Sequence, residues 1–174
     1  MLLALLGLLA RLCFLATALA VARTDLLSFH IPDKILGLGA ALTALPLLAS
    51  TLLTSNWDGL NQGLRGAWLS CGAYLLLHLL TRGGIGFGDV KFALLIGLYT
   101  GWHSSTAAIT ALALAFVGAG LCGIGHLLTN TGDRHTEIPL APWMALGAAL
   151  AVAPADPLTI ATAALNGTSH YRLG

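Results

Sequence analysis

The chain has 174 residues, of which 57% are hydrophobic and only 9% are charged, and its mean hydropathy is +0.85. An ordinary soluble domain carries about 25% charged residues, so this composition excludes a water-soluble globular fold. The net charge of +1 offers no basic patch for nucleic acid. We therefore predict an all-α, polytopic membrane protein with about six transmembrane helices, formed by residues 1–174 as a single membrane-embedded domain.

Six apolar runs are the predicted helices when the chain is divided at about 20 residues per membrane span. They cover roughly Leu2–Thr24, Ile35–Thr54, Gly63–Leu80, Val90–Trp102, Thr106–Leu128 and Ile138–Ala155. The fourth run gives only about 20 Å of helix, which is less than a hydrocarbon core about 30 Å thick. We expect this helix to start near Ile85, which brings Asp89 to membrane level.

The first run contains Ala20-Val21-Ala22, which is typical of a signal-peptidase site. Against cleavage, no basic residue precedes Arg11, and the apolar stretch is long for a signal peptide. These two features favour a first helix that is retained.

The most informative motif is Gly86-Phe87-Gly88-Asp89-Val90-Lys91, a charged and glycine-rich segment between apolar runs. A carboxylate at membrane level is costly and indicates a function. A second aspartate, Asp25, stands at the end of the first run. Two close carboxylates share a proton, so that one can act as a base for water and the other as an acid toward a peptide carbonyl. The glycines beside Asp89 would let a substrate backbone approach closely.

Both aspartates are expected at the same membrane face, because two spans separate Asp25 from Asp89. The loops on that face, 23–34, 81–91 and 129–137, contain Arg23, Lys34, Arg82, Lys91 and Arg134. The opposite loops, near 55–62 and 100–105, contain no Lys or Arg. The positive-inside rule therefore predicts that the aspartates face the cytoplasm and that both termini lie outside.

Each of these residues also has a purely structural interpretation. Asp25 would be a charged residue at a helix end, Asp89 the N-cap of the fourth helix, and Lys91 a lipid-binding or face-marking cation.

The helix dipole would stabilise an ionised Asp89 in a first turn, whereas Asp25 meets the negative end of the first helix. This argument favours Asp89 as the base.

We expect no metal and no cofactor, because the sequence has no His/Cys cluster with ligand spacing. Asp133, His135 and Glu137 have some metal-ligand character, and we interpret them as a solvated loop. His78 and His126, which lie within spans, are interpreted as polar contacts between helices.

Together these residues resemble the type IV prepilin peptidases, a family of GxGD intramembrane aspartyl proteases, and their archaeal preflagellin relatives. The resemblance rests on Gly86-x-Gly88-Asp89-x-Lys91, on Asp25 ahead of Ile31-Pro32-Asp33, and on the segment IPLAPWMALG at 138–147. It covers essentially the whole chain. The GxGD motif alone would also admit presenilin-like and signal-peptide-peptidase-like proteases.

The resemblance implies that Asp25 and Asp89 are catalytic and that Gly86, Gly88 and Lys91 support the motif. It implies an aspartic endopeptidase that cleaves the leader of a prepilin-like precursor at the cytoplasmic face of a bacterial inner membrane. Its partners are then the precursor and the lipid bilayer, and we expect no nucleic acid among them. The sequence carries no signal for an oligomeric state. Longer family members have an N-terminal methyltransferase domain with paired CxxC motifs. Because the first apolar run begins at Leu2, we expect the short, peptidase-only form, similar to those serving Tad or Flp pili.

Proton-coupled small transporters or channels are the alternative class, because they also use membrane-embedded aspartates. Such proteins often have repeated halves with interrupted helices in matching positions. The sequence shows one interrupted helix and no second glycine-rich turn of the same kind, which favours the protease.

Overall fold

The computed structural model describes residues 1–82, 84–129 and 139–153, which form six α-helices. These are α1 (Leu2–Ser28), α2 (Asp33–Thr54), α3 (Asp58–Leu80), α4 (Phe87–His103), α5 (Ser105–Leu128) and α6 (Ala141–Ala151). Among them, α1, α2 and α5 are long and apolar enough to cross a membrane, by length and composition. The predicted class, an all-α polytopic membrane protein, is confirmed.

The first three helices extend beyond the apolar runs that predicted them. α1 continues past Thr24 to Ser28, so Asp25 lies inside its last turn. α2 and α3 start earlier than predicted, with Asp33 and Asp58 in their first turns. A carboxylate is stabilised at the positive end of a helix, and a search for apolar runs leaves such residues out.

α4 begins two residues after Ile85, which confirms that Asp89 lies in its first turn. Its 17 residues span about 26 Å, still less than a hydrocarbon core about 30 Å thick. α4 packs against α2, α3, α5 and α6, and Tyr99 stacks on Phe14 of α1 with ring centroids 4.0 Å apart. The short helix is therefore sheltered from lipid by its neighbours.

The predicted start of the sixth helix is wrong, because Pro139 and Leu140 precede the helix. Pro142 lies in the first turn, where the missing N–H breaks no helical hydrogen bond. The helix ends at Ala151 rather than at Ala155. Positions 138 and 155 themselves lie outside the described residues.

α3 and α4 approach closely where glycines face each other. A Cβ placed on Gly101 would lie 3.1 Å from the Cα of Gly66, and one placed on Gly97 would meet the Gly66 carbonyl. Small residues allow this close packing between helices in a membrane. α3 therefore fixes the position of α4, and with it the position of Asp89.

The outer surface of the bundle is apolar. Large hydrophobic side chains stay exposed along α1, α2 and α5, among them Leu12, Leu19, Leu38, Leu45, Ile109 and Leu121. The buried core instead centres on α4, which contributes Phe92 and Leu95. An apolar exterior around a packed interior matches a hydrocarbon environment.

Arg11 lies at the end of the bundle opposite the two aspartates. It interacts electrostatically with Tyr99 and His103 near the end of α4. Trp102 packs there too, 3.2 Å from where a Cβ on Gly59 would lie. Aromatic rings and snorkelling arginines are typical of the membrane–water interface, which accounts for a cation within the first span.

Candidate active site

Asp25 is held in the last turn of α1 and is only 6% exposed. Its Oδ2 accepts a 2.9 Å hydrogen bond from the backbone N–H of Ala141, the first residue of α6. The N–H groups of a first helical turn have no partner within the helix, and the positive end of the helix favours an ionised carboxylate. Asp25 therefore meets the positive end of α6 as well as the negative end of α1, which the helix-dipole argument from the sequence did not include.

Asp89 is the third residue of α4 and is 9% exposed. Gly86 is the N-cap, so the alternative in which Asp89 caps the helix is wrong. A Cβ on Gly86 would lie 3.2 Å from Asp89 Oδ2, which places this oxygen against the turn. Asp89 Oδ1 is buried and has no hydrogen-bond partner among the described residues.

The two carboxylates converge at one end of the bundle. Asp25 and Asp89 interact electrostatically, as the two intervening spans led us to expect. Both residues are buried, and two neighbouring carboxyl groups in a low dielectric can share one proton. The arrangement can supply one base and one acid to a substrate between them.

Gly88 lets the segment between α1 and α2 close over the first turn of α4. A Cβ on Gly88 would lie 2.9 Å from Ile31 Cβ, closer than real side chains approach, and Ile31 is 5% exposed. Gly86 has a different reason to be small. Its φ of −63° and ψ of 142° suit any residue, so backbone conformation does not require glycine here. The constraint is space, because a side chain at position 86 would crowd the Asp89 carboxylate.

Lys91 connects α4 to α2. Its Nζ lies 2.7 Å from Asp33 Oδ1 and 5.3 Å from the centroid of the Phe87 ring. The Lys91 and Asp33 side chains are 40% and 72% exposed. This ion pair lies on the surface, and Asp33 is thereby distinguished from the buried pair Asp25 and Asp89.

His78 joins the end of α3 to the turn before α4. Its Nδ1 lies 2.6 Å from the carbonyl oxygen of Ile85, and its ring meets Phe87 edge-on. The predicted polar contact is therefore made to the turn before α4 and not to another helix. The side chain of His126 and the loop residues Asp133, His135 and Glu137 lie outside what the structure describes.

Two groups near the aspartates are not predicted as site residues by the sequence. The segment IPLAPW at 138–143 carries part of the family resemblance, but nothing in it indicates that the Ala141 N–H reaches Asp25. Tyr74 is 2% exposed and interacts electrostatically with Asp89. A tyrosine inside an apolar run predicts burial only, so no sequence signal distinguished it.

Comparison with known proteins gives the family. The model of the type IV leader peptidase family matches residues 12–126, which include Asp25 and the GxGD motif. The chain is 32% identical over 145 residues to the prepilin leader peptidase/N-methyltransferase of Bacillus subtilis, covering 83% of the chain and 55% of that relative. It is 30% identical over 169 residues to the protein of the same name from Aeromonas hydrophila, covering 88% and 52%.

The chain thus spans about half the length of these curated relatives. No solved structure matches it. The resemblance inferred from the motifs is confirmed: the chain belongs to the type IV leader peptidase family.

Proposed function

We propose that this protein is an aspartic endopeptidase that removes the leader peptide of prepilin-like precursors, with Asp25 and Asp89 as its catalytic pair. The observation that carries the proposal is the convergence of two buried, interacting aspartates at one end of the bundle. Both lie within the part of the chain that matches the leader peptidase family. Of the two activities in the relatives' names, we attribute the peptidase activity to residues 1–174.

Hydrogen bonding favours Asp25 as the base, which reverses the assignment from the helix dipole alone. Two backbone N–H groups, those of Ala141 and Leu140, stabilise the ionised form of Asp25. The Asp89 carboxylate has one such donor, the N–H of Gly86, and its Oδ1 has none among the described residues. Asp89 would therefore hold the shared proton in the resting pair.

The chemistry follows from that assignment. Asp25 takes a proton from water as the water oxygen attacks the scissile carbonyl carbon, and Asp89 gives its proton to the carbonyl oxygen. The resulting tetrahedral intermediate then collapses. The C–N bond breaks as the proton on Asp25 passes to the leaving nitrogen, and the intermediate's hydroxyl returns a proton to Asp89.

We further propose that the site opens at the cytoplasmic face of a bacterial inner membrane. The support is the set of cations at the same end as the aspartates, Arg23, Lys34, Arg82 and Lys91. A precursor whose leader precedes an apolar helix would present its scissile bond at the cytoplasmic surface of the membrane. The site then meets the precursor where its soluble leader joins its membrane segment.

Processing of a purified precursor tests the proposal. The full chain, reconstituted in lipid vesicles with EDTA present, is incubated with a prepilin-like precursor, and the products are identified by mass spectrometry. We expect one cut immediately before the apolar helix, unaffected by EDTA because the pair supplies both acid and base. Folded protein that leaves such precursors intact but dissipates a proton gradient would support the transporter class instead. Activity lost in EDTA and restored by zinc would contradict the two-aspartate chemistry.

A further inference from the structure

α6 is held against α5 by two close contacts on one side. Trp143 and Gly147 lie one turn apart on α6, so they share a helix face. The ring of Trp143 covers Gly118 of α5 so closely that a Cβ on Gly118 would collide with it. One turn further along α6, a Cβ on Gly147 would lie 2.7 Å from the carbonyl oxygen of Ala111, closer than real side chains approach. The two glycines therefore make the room in which α6 packs on α5.

These contacts determine how far along α5 the helix α6 lies. A shift of α6 by one residue is a movement of about 1.5 Å. It would carry the Trp143 ring off Gly118 and toward Val117 or Ala119, which have side chains where Gly118 has none. Interiors packed this closely do not absorb such a shift without strain. The ring on Gly118 therefore fixes the register of α6 on α5.

The register of α6 matters because this helix begins at the two aspartates. Ala141, two residues before Trp143, is the first residue of α6, and its N–H donates the 2.9 Å hydrogen bond to Asp25 Oδ2. Hydrogen bonds of this type extend to about 3.2 Å, so a displacement of α6 by about 1 Å would break this one. A misplacement of about 1 Å in an active site can reduce the rate about a hundredfold.

We propose that Trp143 is a positioning residue of the catalytic pair. Packed on Gly118, it holds the start of α6 where the Ala141 N–H meets Asp25, and it thereby orients the carboxylate that acts as the base. Trp143 acts through the backbone of α6 and not on the reacting atoms. The inference rests on the proposed function, because the orientation of Asp25 has kinetic consequences only if Asp25 is catalytic.

Replacement of Gly118 by Val tests the contact, since it places a branched side chain where the Trp143 ring lies. We expect kcat for precursor cleavage to fall at least about tenfold, the loss that one hydrogen bond accounts for, while KM is unchanged. The infrared carboxylate band that D25N removes should shift in G118V, because Asp25 loses its donor. An unchanged kcat, a loss that appears in KM instead, or an unshifted band would overturn the inference.

A compensating substitution separates the contact from a general loss of stability. In the double variant G118V/W143L, Leu gives up about the volume that Val adds, so α6 can pack on α5 again. We expect W143L alone to lower kcat, and the double variant to recover most of the kcat that G118V loses, at matched amounts of folded protein. W143L also carries the test if G118V does not fold. Normal cleavage by W143L, or a double variant no more active than G118V, would overturn the inference.

Position 120 provides the matched control. It lies on the same helix as Gly118, and a Cβ on Gly120 would meet no atom within 4 Å. G120V introduces the same branched residue and should leave kcat unchanged, so equal losses in G118V and G120V would overturn the inference. If G118V cleaves normally while D25N and D89N are inactive, only the role of Trp143 fails. If D25N cleaves normally, the catalytic pair itself fails.

Discussion

The backbone N–H of Ala141 donates a 2.9 Å hydrogen bond to Asp25 Oδ2, which ties the start of α6 to the end of α1. Two segments far apart in sequence thus build one carboxylate site. Asn at position 25 would keep an oxygen acceptor for this N–H, whereas Ala would leave the donor buried and unpaired.

We therefore expect D25A to be less stable than D25N by about 1–3 kcal/mol, the cost of an unpaired buried polar group. Both variants should be inactive. Chemical denaturation of the purified proteins in detergent, followed by circular dichroism, gives the comparison. Equal stabilities would mean that the Ala141 bond contributes nothing to the fold.

Gly88 should not tolerate even a methyl group. In G88A the new Cβ would lie 2.9 Å from Ile31 Cβ, and relief of such overpacking costs about 1–3 kcal/mol. We expect lower stability and reduced cleavage, because the segment over Asp89 must move. G72A is the matched control, since a Cβ there meets no atom within 4 Å and Ala favours a helix over Gly. A G88A protein as stable and active as G72A would contradict this close packing.

The Lys91–Asp33 ion pair should contribute little to stability and should not be essential for catalysis. Its partners are 40% and 72% exposed, and exposed pairs contribute about 0.2–1 kcal/mol. A double-mutant cycle of D33A and K91A should give a coupling energy in that range, and D33N should cleave at a rate close to that of the unsubstituted protein. An inactive, well-folded D33N would make Asp33 a candidate for the catalytic pair.

Membrane orientation can be read from cysteines placed at the two ends of the bundle. In a background without Cys13, Cys71 and Cys122, D33C lies at the aspartate end and N56C in the exposed turn at the opposite end. A membrane-impermeant thiol reagent should label N56C from outside the cell and D33C only after the inner face is made accessible. The reverse pattern would overturn the cytoplasmic orientation.

The sequence predicted the helices better than it predicted their contacts. Apolar runs marked six helices, and counting spans brought Asp25 and Asp89 to one end, because a membrane restricts a chain to crossing from face to face. The start of α6 near Asp25 depends on contacts between distant segments, for which a single sequence has no periodic signal. For the same reason Tyr74 looked like any other buried aromatic residue. The first turns of α2 and α3 were missed because their aspartates are stabilised by the helix ends rather than by apolar burial.

The most direct test of the account is the rate of precursor cleavage by D25N and D89N beside the unsubstituted protein, in the same vesicles and at matched amounts of folded protein. Each substitution removes one carboxyl group and preserves the shape of the side chain. The variant then keeps only one of the two groups, the base or the acid, and cleavage needs both. We predict that each variant loses at least about a hundredfold in kcat with its melting temperature nearly unchanged. Cleavage at a normal rate by either folded variant would contradict the assignment of Asp25 and Asp89 as the catalytic pair.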